Sequence, residues 1–330
     1  MTGSWELCIS IKDKTLRAAV CRPGKKAKKI EVSKAFQINI PEEFSASRDA
    51  ASAGAITGLI RTALKDAKIS IKKYNLSISD RSIITRVIKL PKMEFNDLKS
   101  FMKLSIHQYF PIKIEEYCLD YKIQGINEND EKGYYNLLLV AIPKSIIDYY
   151  TQIFLKCGLK PKLINIYSDV VSNLFLKFAD KDIAIVDINY NYTEFIMLEG
   201  KSIFINSIIN YALPKTQMDI NEETYLQVLD MDLLGEEFLT ISESLKNYIN
   251  FFSSRHHGKN IEEIYFIGEG AMMKEVINFL EESLGIKIRT GQNLLENKII
   301  TSSMPGHMKK QFYPERFFSC LGLISGGMSK

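Results

Sequence analysis

The stretch IAIVDINYNYTEFIML, residues 183–198, places an acid at the mouth of a short polar turn between two apolar runs. The outline is strand, turn, strand. A carboxylate at Asp187 could orient a hydrated Mg²⁺, which favours oxygen ligands and keeps several waters. Backbone N–H groups in such a turn can receive a phosphate. Close approach of backbone to phosphate usually needs glycine, yet position 189 is asparagine, which tolerates left-handed backbone better than most residues. A phosphate loop, an altered one and a plain hairpin in which Asp187 caps its own turn all remain open.

Two further stretches suit anion chemistry. In WELCISIKDKTLRAAVCR, residues 5–22, Leu7, Ile9 and Ile11 alternate with polar residues, a turn falls at Lys12 to Lys14, and Leu16 to Val20 return. Lys12 and Lys14 are cations within reach of a phosphate. Gly268-Glu269-Gly270-Ala271 follows the apolar run IYFI and precedes a helical pattern. Glu269 would set a like charge near a polyphosphate unless it points away. The four histidines (107, 256, 257, 307) have no metal spacing and no evident acid partner, and His256-His257 reads as a cationic helix end. GxSxG, HExxH and Walker patterns are absent from the sequence.

The totals bound the rest. A chain of 330 residues with 46% apolar and 25% charged residues is globular, with room for about two domains. A net charge of +4 argues weakly for any polyanionic partner, and nucleic acid is not expected. RPGKKAKK (22–29) reads as a solvated hairpin tip, or else as a contact for an anionic surface. Five scattered cysteines predict free thiols and a reducing cytoplasm. A basic n-region before an apolar stretch is lacking at the start, so no signal peptide is expected. The sequence has no run of 18 apolar residues, so a membrane role would pass through a partner.

The elements that must position these residues form a repeat. Strands at 5–22 and 31–41, a helix over Ser52 to Ala67 and a strand at 74–80 give β-β-β-α-β. Residues 83–160 then read as an inserted β-α-β-β-α unit. Its first helix is capped by Asn96 and stopped by Pro111, and Gly158 stops the second. A strand and helix follow, then β-β-β again about 180 residues after the first. Residues 211–240 are acidic and precede a long helix at 235–255. The domain reading is a first lobe at 1–82, completed by 161–182 and a C-terminal helix at 314–330; an insert at 83–160; and a second lobe at 183–313.

Two such meanders facing one another resemble the actin, Hsp70 and hexokinase superfamily. TRVIKLPKMEFNDLKSFM, HQYFPIKIEEYCLDYKI, LLLVAIPKSIIDYYTQIFLKCGLKPKLINI, ISESLKNYINFF and IYFIGEGAMMKEVINFLEESLGIKI, in this order, resemble the PilM family of type IV pilus assembly proteins, relatives of the cell-division protein FtsA. The resemblance covers nearly the whole chain. It implies an α/β, actin-like (ribonuclease H-like) two-lobed fold with a small inserted α+β subdomain. It also implies a nucleotide site at Ser10, Lys12, Asp13, Lys14, Thr15, Arg17, Asp187, Asn189, Asn191, Thr193, Gly268, Glu269, Gly270 and Ala271.

The chain departs from the family pattern at that site. The first hairpin, usually D-I-G-S-S-S-V-K, has Ser10 for the aspartate, Lys12 for the glycine and Arg17 for the lysine. The second, usually D-I-G-x-x-x-T-D, keeps Asp187 and Thr193 but has Asn189 for the glycine and Glu194 for the last acid. One magnesium carboxylate is thus lost and two backbone approaches are narrowed. ATP or ADP with Mg²⁺ is one expectation; the preferred one is no cofactor, in a pseudo-ATPase. The family function implied is a cytoplasmic scaffold that binds the N-terminal cytoplasmic peptide of PilN, an inner-membrane protein, and contacts the pilus motor ATPase. The candidate contact residues are Arg86, Ile88, Leu90, Pro91, Phe110, Pro111 and Tyr121; Ile88 and Leu90 read equally well as core, and Arg86 is the more telling. Rival readings are a metabolite kinase, a nucleotide-dependent filament, and an adaptor of a related type II secretion or competence apparatus.

Overall fold

The computed structural model describes residues 3–12, 14–24, 29–45, 48–127, 133–178, 181–189, 192–210, 231–310 and 312–325. The expectations placed on Asp13, Asn191, the basic residues 25–28, the polar turn at 128–132, the acidic stretch at 211–230 and the glycines at 326–327 lie outside these.

The chain opens on an antiparallel meander of β1 (Glu6–Lys12), β2 (Thr15–Pro23) and β3 (Ile30–Asn39). A short α1 (Glu42–Ser45) leads to α2 (Ala50–Asp66), whose N-terminus is capped by the Asp49 side chain accepting from Ser52 N–H. β4 (Lys73–Ile78) follows, then β5 (Ile84–Pro91), α3 (Phe95–Ser105), β6 (Tyr117–Asn127), β7 (Tyr134–Pro143), α4 (Lys144–Lys156), β8 (Lys160–Ile166) and α5 (Tyr167–Phe178). A second meander comprises β9 (Ile183–Ile188), β10 (Thr193–Glu199) and β11 (Ser202–Ile209). The chain continues through α6 (Met231–Arg255), β12 (Glu263–Ile267), α7 (Lys274–Leu284), β13 (Ile288–Thr290), α8 (Gly291–Leu295), β14 (Ile299–Ile300), α9 (Gly306–Lys310) and α10 (Phe318–Ser325).

Among the described residues the strands form three sheets, ordered β14-β3-β2-β1-β4-β8, β11-β10-β9-β12-β13 and β5-β7-β6. β1 pairs antiparallel with β2 and parallel with β4; β9 pairs antiparallel with β10 and parallel with β12. Apart from the edge strand β14, the two large sheets therefore share one topology, and the fold is the two-lobed actin-like α/β arrangement with a small insert.

Period-two alternation decides what each strand face meets. Leu7, Ile9 and Ile11 of β1 pack against α2 and α4, while Cys8 joins the core between the lobes. Ile183 and Ile185 of β9 face that same central core, and Ala184, Val186 and Ile188 face α6 and α7. α5 and α10 fill the space between the sheets through Val170, Leu174, Phe175, Phe318 and Leu321. The insert has its own core around Leu98, Met102, Leu137 and Leu139.

Several boundaries differ from the sequence reading. α3 begins at Phe95 with Glu94 at its cap, not at Asn96, and a 3-10 turn at Ile106–Tyr109 replaces its last α-turn before Pro111. α6 begins at Met231, so residues 231–240 are helix and not part of an acidic insertion. α4 buries Ile146, Ile153 and Phe154 in the first-lobe core, which leaves the insert as 84–143 instead of 83–160. β14 pairs with β3, so the return to the first lobe starts near 299 and not 314. Gly158 does follow α4, with φ +75°. Cys8, Cys21 and Cys320 are buried free thiols, Cys157 is half-buried and Cys118 is exposed. Among the described residues no helix is long and apolar enough to cross a membrane.

α10 approaches α5 so closely that a Cβ at Gly322 would collide with the Val170 carbonyl oxygen. Gly322→Ala is therefore expected to lower stability by about 1–3 kcal/mol, read as a shifted midpoint in urea with an unchanged slope.

Candidate functional site

Three rows of side chains run along the inner faces of β1, β9 and β10 and end in charge. Cys8, Ser10 and Lys12 follow one another on β1; Ile183, Ile185 and Asp187 on β9; Leu198, Ile196 and Glu194 on β10. Asp187 and Glu194 are directly opposed in the β9–β10 register. Like charges in that position repel. The Lys12 ammonium from the other lobe lies between them, 2.5 Å from Asp187 Oδ2 and 3.3 Å from Glu194 Oε2. All three residues are buried, at 5%, 1% and 4% exposure.

Neighbours close the arrangement. The Tyr167 hydroxyl, at the first residue of α5, donates to Asp187 Oδ2, and its ring lies 3.9 Å from the Lys12 nitrogen. Burial, reinforced by the Asp187 and Glu194 charges, pushes the Tyr167 hydroxyl well above its ordinary pKa, so it stays a donor. Asn189 Nδ2 donates to Asp187 Oδ1 at 2.7 Å. Ser79 donates to Glu194 Oε2 at 3.2 Å and shares a 2.6 Å hydrogen bond with the Tyr192 hydroxyl. A second link between the lobes joins Arg17 to Glu269 at 2.7 Å, with Arg316 3.7 Å from the same carboxylate.

Gly268, at φ +79°, lies against the second hairpin, where a Cβ would collide with Asp187 Oδ1 and come within 2.8 Å of the Ile188 carbonyl. The space left among Ser10, Lys12, Arg17, Asp187, Asn189 and Glu269 is about 20 Å³, room for about one water. An adenine nucleotide does not fit there with these side chains in place. Both Asp187 oxygens already have donors, so with Lys12 in place that carboxylate has no free oxygen for Mg²⁺.

Of the residues expected here, Ser10, Lys12, Arg17, Asp187, Asn189, Gly268 and Glu269 converge on the gap. Lys14 turns away to Glu42, at 2.7 Å. Thr15 pairs with Lys12 and Asn39 in the sheet, and Thr193 is wholly buried in β10. Gly270 packs on Ile188, and Ala271 lies against the second-lobe core. Tyr167, Ser79 and Arg316 were not anticipated; Glu194 was noted as a motif position but not as a site residue. Its placement opposite Asp187 in a hairpin is the one signal that could have found it. His256 does have an acid partner, Glu199 Oε1, 2.9 Å from Nε2, and stacks on Phe252.

A second, open cleft of about 220 Å³ lies where the first lobe, the insert and the second lobe meet. Ser79, Asp80, Thr85, Arg86, Ser168 and Asn206 supply its polar lining. Two edge strands border it, β5 of the insert and β11 of the second lobe. Asn206 donates to Ser168 Oγ at 2.9 Å and Thr85 Oγ1 at 3.3 Å, while its buried Oδ1 has no partner. Of the candidate contact residues, Arg86 lines this cleft. Ile88 and Tyr121 are half-buried against the insert core, Leu90 and Phe110 belong to it, and Pro91 and Pro111 are exposed. Leu90 and Phe110 are thus packing residues, placed inward by strand alternation and by the chain reversal after α3.

Tyr167→Phe removes one donor from a buried carboxylate and is expected to cost about 1.5–3 kcal/mol in chemical denaturation. Burial raises the Glu194 carboxyl above its ordinary 4.5; Lys12 opposes this and Asp187 adds to it. A carboxyl raised on folding stabilises the fold when protonated, fully so below its unfolded pKa, and the contribution fades as pH climbs through the folded value. Glu194→Gln cannot ionise. Its melting temperature relative to the parent chain is expected to rise with pH upward from about 4.5.

The chain matches the family model for type IV pilus assembly protein PilM over residues 11–207 of its 330. It is similar in structure to a PilM-PilN type IV pilus biogenesis complex, with a TM-score of 0.77 at 16% identity, covering 98% of this chain and 99% of that one. A Bacteroides thetaiotaomicron protein with an actin-like ATPase fold aligns with a TM-score of 0.49 at 10% identity, over 88% of this chain and 91% of that one. The family match runs from the end of β1 through the rest of the first meander, all of the insert, and the second meander almost to the end of β11. This chain belongs to the PilM family of type IV pilus assembly proteins.

Proposed function

We propose that this chain is an actin-like adaptor of the type IV pilus machinery. It holds an extended peptide from a PilN-like inner-membrane protein in the three-way cleft, and its former nucleotide gap is a structural contact. The family membership supports the pilus assignment, and the solved PilM-PilN complex supports the kind of partner. The observation that carries the mode of binding is the cleft itself, bordered by the edge strands β5 and β11. An extended segment can add to such an edge by main-chain hydrogen bonds. Arg86 offers a guanidinium for a peptide carboxylate or carbonyl, and Asn206 Oδ1 is an acceptor for a peptide N–H. The filled gap between Lys12 and Gly268 supports a pseudo-ATPase, so peptide affinity does not depend on nucleotide. Attachment to the membrane then goes through the partner.

The test is fluorescence polarisation with a labelled peptide from the cytoplasmic N-terminal tail of the PilN-like protein of the same organism. The expected result is saturable binding, weakened about tenfold or more by Arg86→Glu, which corresponds to a loss of about 1.4 kcal/mol, and unaffected by Mg²⁺ and ATP. Absence of peptide binding by the parent chain overturns the adaptor reading.

A further inference from the structure

We infer that Lys12 is the chain's own substitute for a bound divalent cation. Its ammonium joins the lobes at the acid pair Asp187 and Glu194, and that pair is a latent divalent-cation site from which Lys12 excludes metal. The inference rests on reading the gap as closed to nucleotide and is independent of any pilus partner.

The geometry is that of an occupied cation site. Two carboxylates from one lobe converge on a single positive centre, at 2.5 and 3.3 Å, and a tyrosine ring covers it at 3.9 Å. The Ser79 hydroxyl of the first lobe donates to Glu194 Oε2 at 3.2 Å and so places a neutral oxygen beside the pair. Carboxylate and hydroxyl oxygens form a hard donor set, which suits Mg²⁺ or Mn²⁺ rather than softer metals. The acids are opposed across a hairpin, so they need a counter-charge whatever its source. A soluble ion would come and go with concentration. A lysine side chain rooted in β1 is present at all times and carries the other lobe with it. Removing the chain beyond Cβ would leave two buried, uncompensated carboxylates around a space large enough for an ion and its waters.

The test is thermal melting of the full chain as parent, Lys12→Ala and Lys12→Met, each in EDTA and in excess MnCl₂. The parent melts at one temperature in both. Lys12→Ala melts lower in EDTA by on the order of 10 °C, the loss expected when one partner of a buried ion pair is removed, and Mn²⁺ restores at least half of it. Lys12→Met also melts lower but Mn²⁺ does not rescue it, because the thioether chain fills the space without supplying charge. An unaltered Lys12→Ala melting point overturns the inference, as does a loss that Mn²⁺ leaves unchanged or an equal Mn²⁺ response in all three proteins. Should Lys12→Ala fail to fold, small-angle scattering of the parent chain decides. The same radius of gyration with and without Mg²⁺ and ATP supports permanent closure, and a change overturns it. A chain that passes these tests yet binds no PilN-like peptide keeps its lysine clasp and loses only the adaptor assignment.

Discussion

One ammonium between two carboxylates governs how the halves of this molecule meet. Removing the three charges from water is expensive, and only close pairing with complete hydrogen bonding makes it tolerable. Lys12, Asp187 and Glu194 meet that demand with help from Tyr167, Asn189 and Ser79. The donors come from both lobes, so any opening at this point would strip partners from buried charge. The Arg17–Glu269–Arg316 group repeats the principle on the other side of the gap, at part-buried positions. The separation of the lobes is written into the side chains.

The same contact bears on the shape of the neighbouring cleft. Its walls come from three bodies: the end of β4 and the start of α5 in the first lobe, β5 in the insert, and β11 in the second lobe. A groove made this way keeps its shape only if the bodies stay in register. Tyr167 lines both the gap and the open cleft, and Glu194 lines the cleft while holding Lys12, so the contact that fixes the lobes also forms one wall of the groove. An extended segment entering such a preformed groove bears the cost of ordering itself but not the cost of ordering the receptor.

Much of this was legible in the sequence. The meander repeat is visible because strand alternation and turn residues are local signals, and residues of the two hairpins and the glycine turn do meet around one gap. The partners of Lys12 were not legible. Read as a turn residue, Lys12 looks like a phosphate contact. The alternation Cys8, Ser10, Lys12 does put it on the inward row, but nothing local says that its acids lie some 175 residues away. α4 was assigned to the insert for a similar reason: its apolar stripe announces a buried face without naming what it meets, and it meets α2. Leu90 and Phe110 stand among the candidate contacts for want of the same information, since a cleft residue and a core residue share one chemistry, and Leu90 reads equally well as core. Tyr167 carried no signal at all, being one aromatic among many at a strand–helix junction.

The return of the chain to its first lobe bears on how the molecule is made. The inner face of β1 and β2 is covered by α5 and by α10, with Cys320 Sγ reaching the Arg17 carbonyl across a sequence separation of 303. On a ribosome, strands from the opening meander emerge long before the helix that seals them. Contacts this distant in sequence form slowly, and until residue 325 has cleared the exit tunnel an apolar sheet face stands open to other nascent chains. The second lobe, whose sheet and flanking helices are nearly contiguous, can close on itself first. Vectorial synthesis therefore leaves the older half of the polypeptide waiting on the younger, the reverse of the usual order in which amino-terminal domains finish early.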